Sequence, residues 1–330
     1  MTTGTNNTAF APALWLRNGH AQTLWRKLAG ASPVNHHRER VLLSDGDFID
    51  LDWAETADAQ NNATLVLIVH GLCGCSSSSY VLALQNELLT NNFPSVAMNL
   101  RSCSGEVKTK ARTYHSGVSD DLAQVLSHLK RQHADKRIAI VGYSLGANIL
   151  LKWLGESGAG SSDDIACAIA VSTPFTLALC SKAMLSGPSR IYGRYFTRRL
   201  LEAFHQKKAA FLANGNEAEY EQLARLEGID SISNIWEFDD RITAVLHGFE
   251  DAADYYRQCS SINFVPDIQA RTLLVQSTDD PMIPPEALPQ AGQIPDCVAL
   301  ELSSRGGHVG FVAGLRSNWL EKRIVRFISS

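Results

Sequence analysis

The stretch Ile138-Ala139-Ile140-Val141-Gly142-Tyr143-Ser144-Leu145-Gly146-Ala147-Asn148-Ile149-Leu150 decides the reading of this chain. An apolar, β-branched run breaks at Gly-x-Ser-x-Gly and resumes at once as a helix-forming segment. That is the strand–turn–helix context a nucleophile elbow requires. The bare pentapeptide also arises by chance in Gly- and Ser-rich loops, and the flanking run and helix argue against that here. In so tight a turn the serine backbone is strained, and a Cβ on either side would strike the strand or the helix, so Gly142 and Gly146 bracket it. Ser144 is left exposed at a helix N-terminus, where the backbone N–H of Leu145 and the helix dipole meet any oxyanion that develops.

Working outward, strand and helix alternate on both sides. Thr64–Val69 is an unbroken apolar run, the mark of a strand buried on both faces. It delivers His70-Gly71-Leu72-Cys73-Gly74 to its carboxyl end, where ligands sit in open α/β sheets. A Gly there can be a plain strand-ending turn, or it can let the chain approach closely so that the N–H of Leu72 pairs with that of Leu145 around an oxyanion. A helix over 80–91, a strand over 95–99, the irregular Arg101-Ser-Cys-Ser-Gly105 and a helix over 120–131 follow, the last with Leu122, Val125, Leu126 and Leu129 on one face. Further strands are predicted at 165–171, 272–276 and 298–302, with a closing amphipathic helix over 319–327. Upstream, Arg40–Leu43 and Phe48–Trp53 flank the turn signal Ser44-Asp-Gly-Asp47, a hairpin. The pattern predicts an α/β fold with a mostly parallel, doubly wound sheet.

Residues 40–174 and 266–330 make up that core. Between 175 and 265 no strand-like run occurs, and the segment reads as an inserted helical lid over the sheet's carboxyl edge. Its Tyr192, Tyr195 and Phe196 are expected to set substrate choice. Residues 1–39 read as an N-terminal helical extension, whose apolar and aromatic spacing from Phe10 to Leu28 suits short packed helices but reveals no role by itself.

A serine hydroxyl attacks at neutral pH only when a positioned base takes its proton, and the base needs a carboxylate to fix its tautomer. The order expected on this fold is Ser, acid, His. Asp279 and Asp280 lie just past the 272–276 strand, and His308 lies in a Gly-rich loop just past the 298–302 strand. Adjacent residues in an extended loop point in opposite directions, so only one aspartate reaches His308. Pro281 restricts Asp280 to an extended backbone, which selects it; Asp279 is left to cap the loop or face solvent. His36, His37, His128 and His133 sit among charges or along a solvated helix and are expected at the surface.

Of the 330 residues 45% are hydrophobic and 19% charged, with a net charge of −4, so bulk charge draws the chain neither to nucleic acid nor to an anionic membrane. Seven cysteines without a C-x-x-C pair exclude zinc-ribbon and thioredoxin readings. No basic-then-apolar leader opens the sequence, and no apolar stretch approaches the ~18 residues of a transmembrane segment. A reducing, cytoplasmic location is expected, with no cofactor and no metal.

His70-Gly-Leu-Cys-Gly, Arg101-Ser-Cys-Ser-Gly, Tyr114-His115-x-Gly, Gly142-Tyr-Ser-Leu-Gly146, Asp280-Pro-x-x-Pro and Gly307-His308-x-Gly-Phe, preceded by Trp15-Leu-x-Asn-Gly-His20-x-Gln-Thr, together resemble the YheT-type esterases of the AB hydrolase 4 family, α/β-hydrolase superfamily. The resemblance runs nearly the length of the chain and implies the α/β-hydrolase fold. It also implies cofactor-free hydrolysis of carboxylic, possibly acyl-lipid, esters by Ser144, Asp280 and His308, with Leu72 and Leu145 holding the oxyanion. One departure is Ser102, where the family usually carries Gly. Acyl transfer or thioester hydrolysis would use the same residues, and a fold retained for binding alone would be expected to have lost some of them.

Overall fold

The computed structural model describes residues 10–55, 59–107, 109–160, 165–314 and 318–330. Helix α1 (Gly19–Leu28) precedes a hairpin of β1 (His37–Leu42) and β2 (Phe48–Ala54). Then come β3 (Thr64–Val69), α2 (Ser79–Thr90), β4 (Ser95–Asn99), α3 (Ser119–Gln132), β5 (Arg137–Tyr143), α4 (Leu145–Ser157) and β6 (Ile165–Val171). Among the described residues eight strands form one sheet in the order β1-β2-β4-β3-β5-β6-β7-β8, where β7 is Thr272–Ser277 and β8 Val298–Ser303. Pairing is antiparallel across β2 and parallel from β4 to β8. The hairpin and the doubly wound sheet expected from the sequence are both present.

Strands buried on two faces need two cores, and alternate residues supply them. Leu65, Leu67, Ile138 and Ile140 face α3 and α4, where Leu122, Val125, Leu126 and Leu129 form the buried stripe anticipated for α3. Val66, Ile68, Ala139 and Val141 face the other way, onto Leu84 and Leu88 of α2 and Leu320 and Ile324 of the closing helix Trp319–Ser329. At the end of β4, fully buried Arg101 forms a bidentate pair with Asp121 of α3 (2.7 and 2.8 Å) and reaches Asp47 of the hairpin (3.0 Å). This charged knot ties the antiparallel edge to the parallel body. Breaking one partner would leave a buried charge uncompensated, a loss of about 3–5 kcal/mol.

Between β6 and β7 the described residues contain no strand. Helices α5 (Leu177–Ala183), α6 (Arg190–Ala213), α7 (Glu217–Ala224), α8 (Ile235–Phe238), α9 (Ala244–His247) and α10 (Ala252–Cys259) occur there, with a π-helical turn, Asp239–Thr243, joining α8 to α9. They bury a cluster of their own around Phe204, Phe211, Leu223, Phe238 and Ile242. Three surface expectations are corrected, for only His37 is exposed: His128 is half-buried with its Nε2 2.6 Å from Glu39 Oε1, because the edge strand β1 lies alongside α3, His36 is half-buried with its Nε2 2.8 Å from Gln85 Oε1 of α2, and His133 is half-buried against the Trp53 ring.

Candidate active site

Ser144 occupies the turn between β5 and α4 with φ 52° and ψ −119°, a left-handed conformation that costs a non-Gly residue of order 1–3 kcal/mol. The surroundings hold it there. A Cβ on Gly142 would stand 2.7 Å from Ala147 Cα, and one on Gly146 2.4 Å from the Val69 carbonyl oxygen. Both contacts are with backbone, so a larger residue would force strand, helix or β3 to move. The Ser144 N–H donates to the Val171 carbonyl at the end of β6 (2.8 Å), fixing the elbow against the neighbouring strand.

Three loops at the sheet's carboxyl edge bring the expected residues together. His308 Nε2 lies 2.8 Å from Ser144 Oγ, and its Nδ1 lies 2.8 Å from Asp280 Oδ2. A carboxylate only accepts, so Nδ1 carries the proton and Nε2 accepts from the serine hydroxyl. Asp280 Oδ1 accepts from the N–H groups of Met282 (2.8 Å) and Ile283 (3.2 Å), leaving Oδ2 to the imidazole. Asp279 points elsewhere: its Oδ1 accepts from the N–H of Gly307 (2.9 Å), a loop-capping contact.

The turn after β3 faces Ser144 closely, since a Cβ on Gly71 would stand 3.0 Å from Ser144 Cβ. Two phenols pin that turn. Tyr80 Oη accepts from the Gly71 N–H and Tyr114 Oη from the Cys73 N–H, each at 2.9 Å. His70 joins it to the end of β4: its Nδ1–H donates to the Gly71 carbonyl (2.8 Å) while Nε2 accepts from the Leu100 N–H (3.1 Å). Burial drives this imidazole's pKa down to about 4, so it stays neutral and keeps the tautomer both bonds require. Among the described residues the N–H groups of Leu72 and Leu145 have no hydrogen-bond partner, and both residues line the cavity at Ser144.

A family profile described as the alpha/beta hydrolase fold matches residues 64–315. The chain belongs to the α/β-hydrolase family. Over 329 residues it is 37% identical to the Escherichia coli (strain K12) protein YheT, named among the esterases, covering 97% of this chain and 93% of that one. The human protein named phospholipase ABHD3 is 28% identical, with 97% of this chain and 78% of that protein covered. A Saccharomyces cerevisiae monoacylglycerol lipase is also 28% identical, over 80% of this chain and 58% of its own. The solved Pyrococcus furiosus esterase Pf2001 superposes with a TM-score of 0.57 at 15% identity, over 90% of this chain and 91% of that one, a likeness of fold. The resemblance read from the motifs thus extends over 97% of the chain.

In this α/β-hydrolase Ser144 and His308 open onto a cavity walled mainly by apolar side chains of the inserted helices, among them Leu177, Met184, Phe196, Leu200, Ile235 and Phe238. Of the three aromatics expected to select substrate, only Phe196 lines it. Tyr192 stacks on His20 of α1 (ring centroids 5.6 Å apart, 8° between planes), and Lys27 sits over the Tyr195 ring at 4.0 Å. Two parts of the site escaped the sequence reading. One is α1, whose Thr23 Oγ1 accepts from the N–H of His308 (2.8 Å). The other is Asp239, a half-buried acid in the cavity wall. Among the described residues no group of three or more His, Cys, Asp or Glu is placed to hold a metal, and no helix is long and apolar enough to cross a membrane.

Proposed function

We propose that this α/β-hydrolase is a serine carboxylesterase that works through an acyl-enzyme. Ser144 Oγ attacks the ester carbonyl as its proton passes to His308 Nε2, and Asp280 steadies the resulting imidazolium through Nδ1. The negative charge gathers on the former carbonyl oxygen between the N–H groups of Leu72 and Leu145, donors that need no reorganisation when it forms. Collapse releases the alcohol, which takes the proton from Nε2. Water then repeats the sequence on the acyl-enzyme and frees the acid. The observation that carries this reading is the pair of 2.8 Å contacts joining Ser144, His308 and Asp280 at the floor of an apolar cavity. Relatives named esterase, phospholipase and monoacylglycerol lipase support ester substrates, and the cavity lining supports an aliphatic acyl group.

In the same reading, residues 175–265 are a lid that shapes the acyl site, 1–39 an extension packed on the 40–174 and 266–330 core, and the seven free cysteines suit a reducing cytoplasm. The test is labelling with a fluorophosphonate followed by peptide mass spectrometry and an ester chain-length panel. Adduct on Ser144 and its loss in Ser144→Ala, with turnover falling by several orders of magnitude, are expected. Wild-type turnover in Ser144→Ala would overturn the mechanism.

A further inference from the structure

Asp239 takes no part in the contacts among Ser144, His308 and Asp280, yet it lines the same cavity. It opens the π-helical turn Asp239–Thr243, an irregularity that recurs at functional sites. Protein encloses the carboxyl group, and burial raises its pKa to about 6. The residue as a whole is half-buried, and it lines the cavity.

The hydrogen bonds around it all run inward. Tyr256 Oη donates to Asp239 Oδ2 (2.6 Å) and Thr243 Oγ1 to Oδ1 (2.7 Å). With its single proton committed, Tyr256 Oη can only accept from Ser181 Oγ, 3.2 Å away. A carboxylate has about four acceptor positions, and two are filled. Among the described residues no further hydrogen bond reaches the carboxylate, whose neighbours in the cavity wall include the apolar Leu177, Phe196, Ile235 and Phe238. An enclosed acceptor left short of donors favours a ligand that brings one.

We propose that this cavity is a recognition site for esters carrying a free hydroxyl, which donates to Asp239. The inference rests on the esterase reading and narrows its substrate class. A hydroxyl on the acyl chain and one on the alcohol present the same donor, so both are tested. A hydrogen bond to a charged group sets the expected preference at about 10- to 100-fold in kcat/KM over the plain ester.

The experiment uses the full chain and two ester series, one hydroxylated along the acyl chain and one along the alcohol, each paired with plain alkyl esters of equal length. The readout is the hydroxylated-to-plain ratio of kcat/KM, which a purely structural role of Asp239 would leave unmoved. One series should show the preference, peaking at one hydroxyl position, and Asp239→Asn should reduce it to less than about 3-fold. If that variant does not fold, Thr243→Val decides: stripped of one protein donor, Asp239 depends more on the substrate, and the ratio should rise. No preference at any position, a preference that survives Asp239→Asn, or an unchanged ratio in Thr243→Val would overturn the proposal. If the wild type hydrolyses no ester at all, it is the esterase reading that fails. Calorimetric binding of the same matched pairs then decides this one, equal affinities overturning it.

Discussion

Replacing Asp280 by Asn tests the site through a single proton. Oδ1 of Asp280 receives two backbone N–H groups, from Met282 and Ile283, so the amide of Asn must place its oxygen there. Its NH2 then occupies the position of Oδ2, 2.8 Å from His308 Nδ1, and donates. That forces the proton onto Nε2, which faces Ser144 Oγ and can no longer take the serine's proton. Flipping the amide would set NH2 against two N–H donors and forfeit both bonds, about 1 kcal/mol each plus the repulsion, so the inactive tautomer persists. The expected loss in kcat is about 10⁴, or about 5.5 kcal/mol of transition-state stabilisation. Asp279→Asn is the control, because the amide oxygen still accepts from Gly307 and the buried Oδ2 has no partner to lose. It should cost less than about 10-fold. Steady-state hydrolysis of a chromogenic ester, with circular dichroism to establish folding, measures both. Reversed losses would refute the assignment of the acid.

Two further outcomes follow from backbone and burial. Ser102 holds φ 64° with a buried hydroxyl that has no partner, so Ser102→Gly should stabilise the fold by about 0.5–1 kcal/mol, read as a rise of about 1–3 °C in melting temperature; a lower melting point would mean the serine is favoured by contacts other than these. Stability should also fall in acid. His70 and His247 are held neutral by burial with pKa values of about 4, against about 6.5 unfolded, so their contribution is complete above pH 6.5 and is lost as pH drops toward 4. Burial holds His115, packed against His247, well below its ordinary value too, and Asp239, raised to about 6, acts oppositely over the same window, so three histidines against one carboxyl leave a net loss of stability as pH falls to 4. Denaturant titrations from pH 7.5 to 4 with a flat midpoint would contradict this.

What could be read from the sequence is what depends on near neighbours. β3 and β5 announce themselves because a strand buried on both faces must be apolar throughout, and the elbow because its glycines answer clashes within five residues and at the adjoining strand. That Asp280 and His308 come near Ser144 is legible because each follows its strand directly. The α6 aromatics part company because helix phase, invisible in a list of residues, separates them. Tyr195 and Phe196 differ by about 100° around α6, so one meets Lys27 and the other the cavity. Asp239 was missed because an acid among helix formers reads as solvated, and only the packing of α5 and α10 reveals its enclosure.

The N-terminal Asn-Gly-His-Ala-Gln-Thr stretch was opaque for a related reason: its partners lie some 290 residues away. Asn18 caps α1 by accepting from the His20 N–H (2.9 Å), which turns one helix face toward the loop of His308. Gly19 is obligatory, since a Cβ there would stand 1.9 Å from the Asp279 carbonyl oxygen. Gln22, fully buried, binds Val312 through both ends of its amide. Three successive amides of the histidine loop are thereby claimed by three different segments: Gly307 by Asp279 after β7, His308 by Thr23 of α1, and Val309 by Ser172 after β6 (2.8–2.9 Å). Val309 and Phe311 sit at positive φ, which non-Gly residues hold only when their surroundings over-determine them. An imidazole that must meet Ser144 on one nitrogen and Asp280 on the other tolerates little error, and a loop fixed from three sides keeps both 2.8 Å contacts together. The segment with no chemistry of its own therefore belongs to the site as its brace.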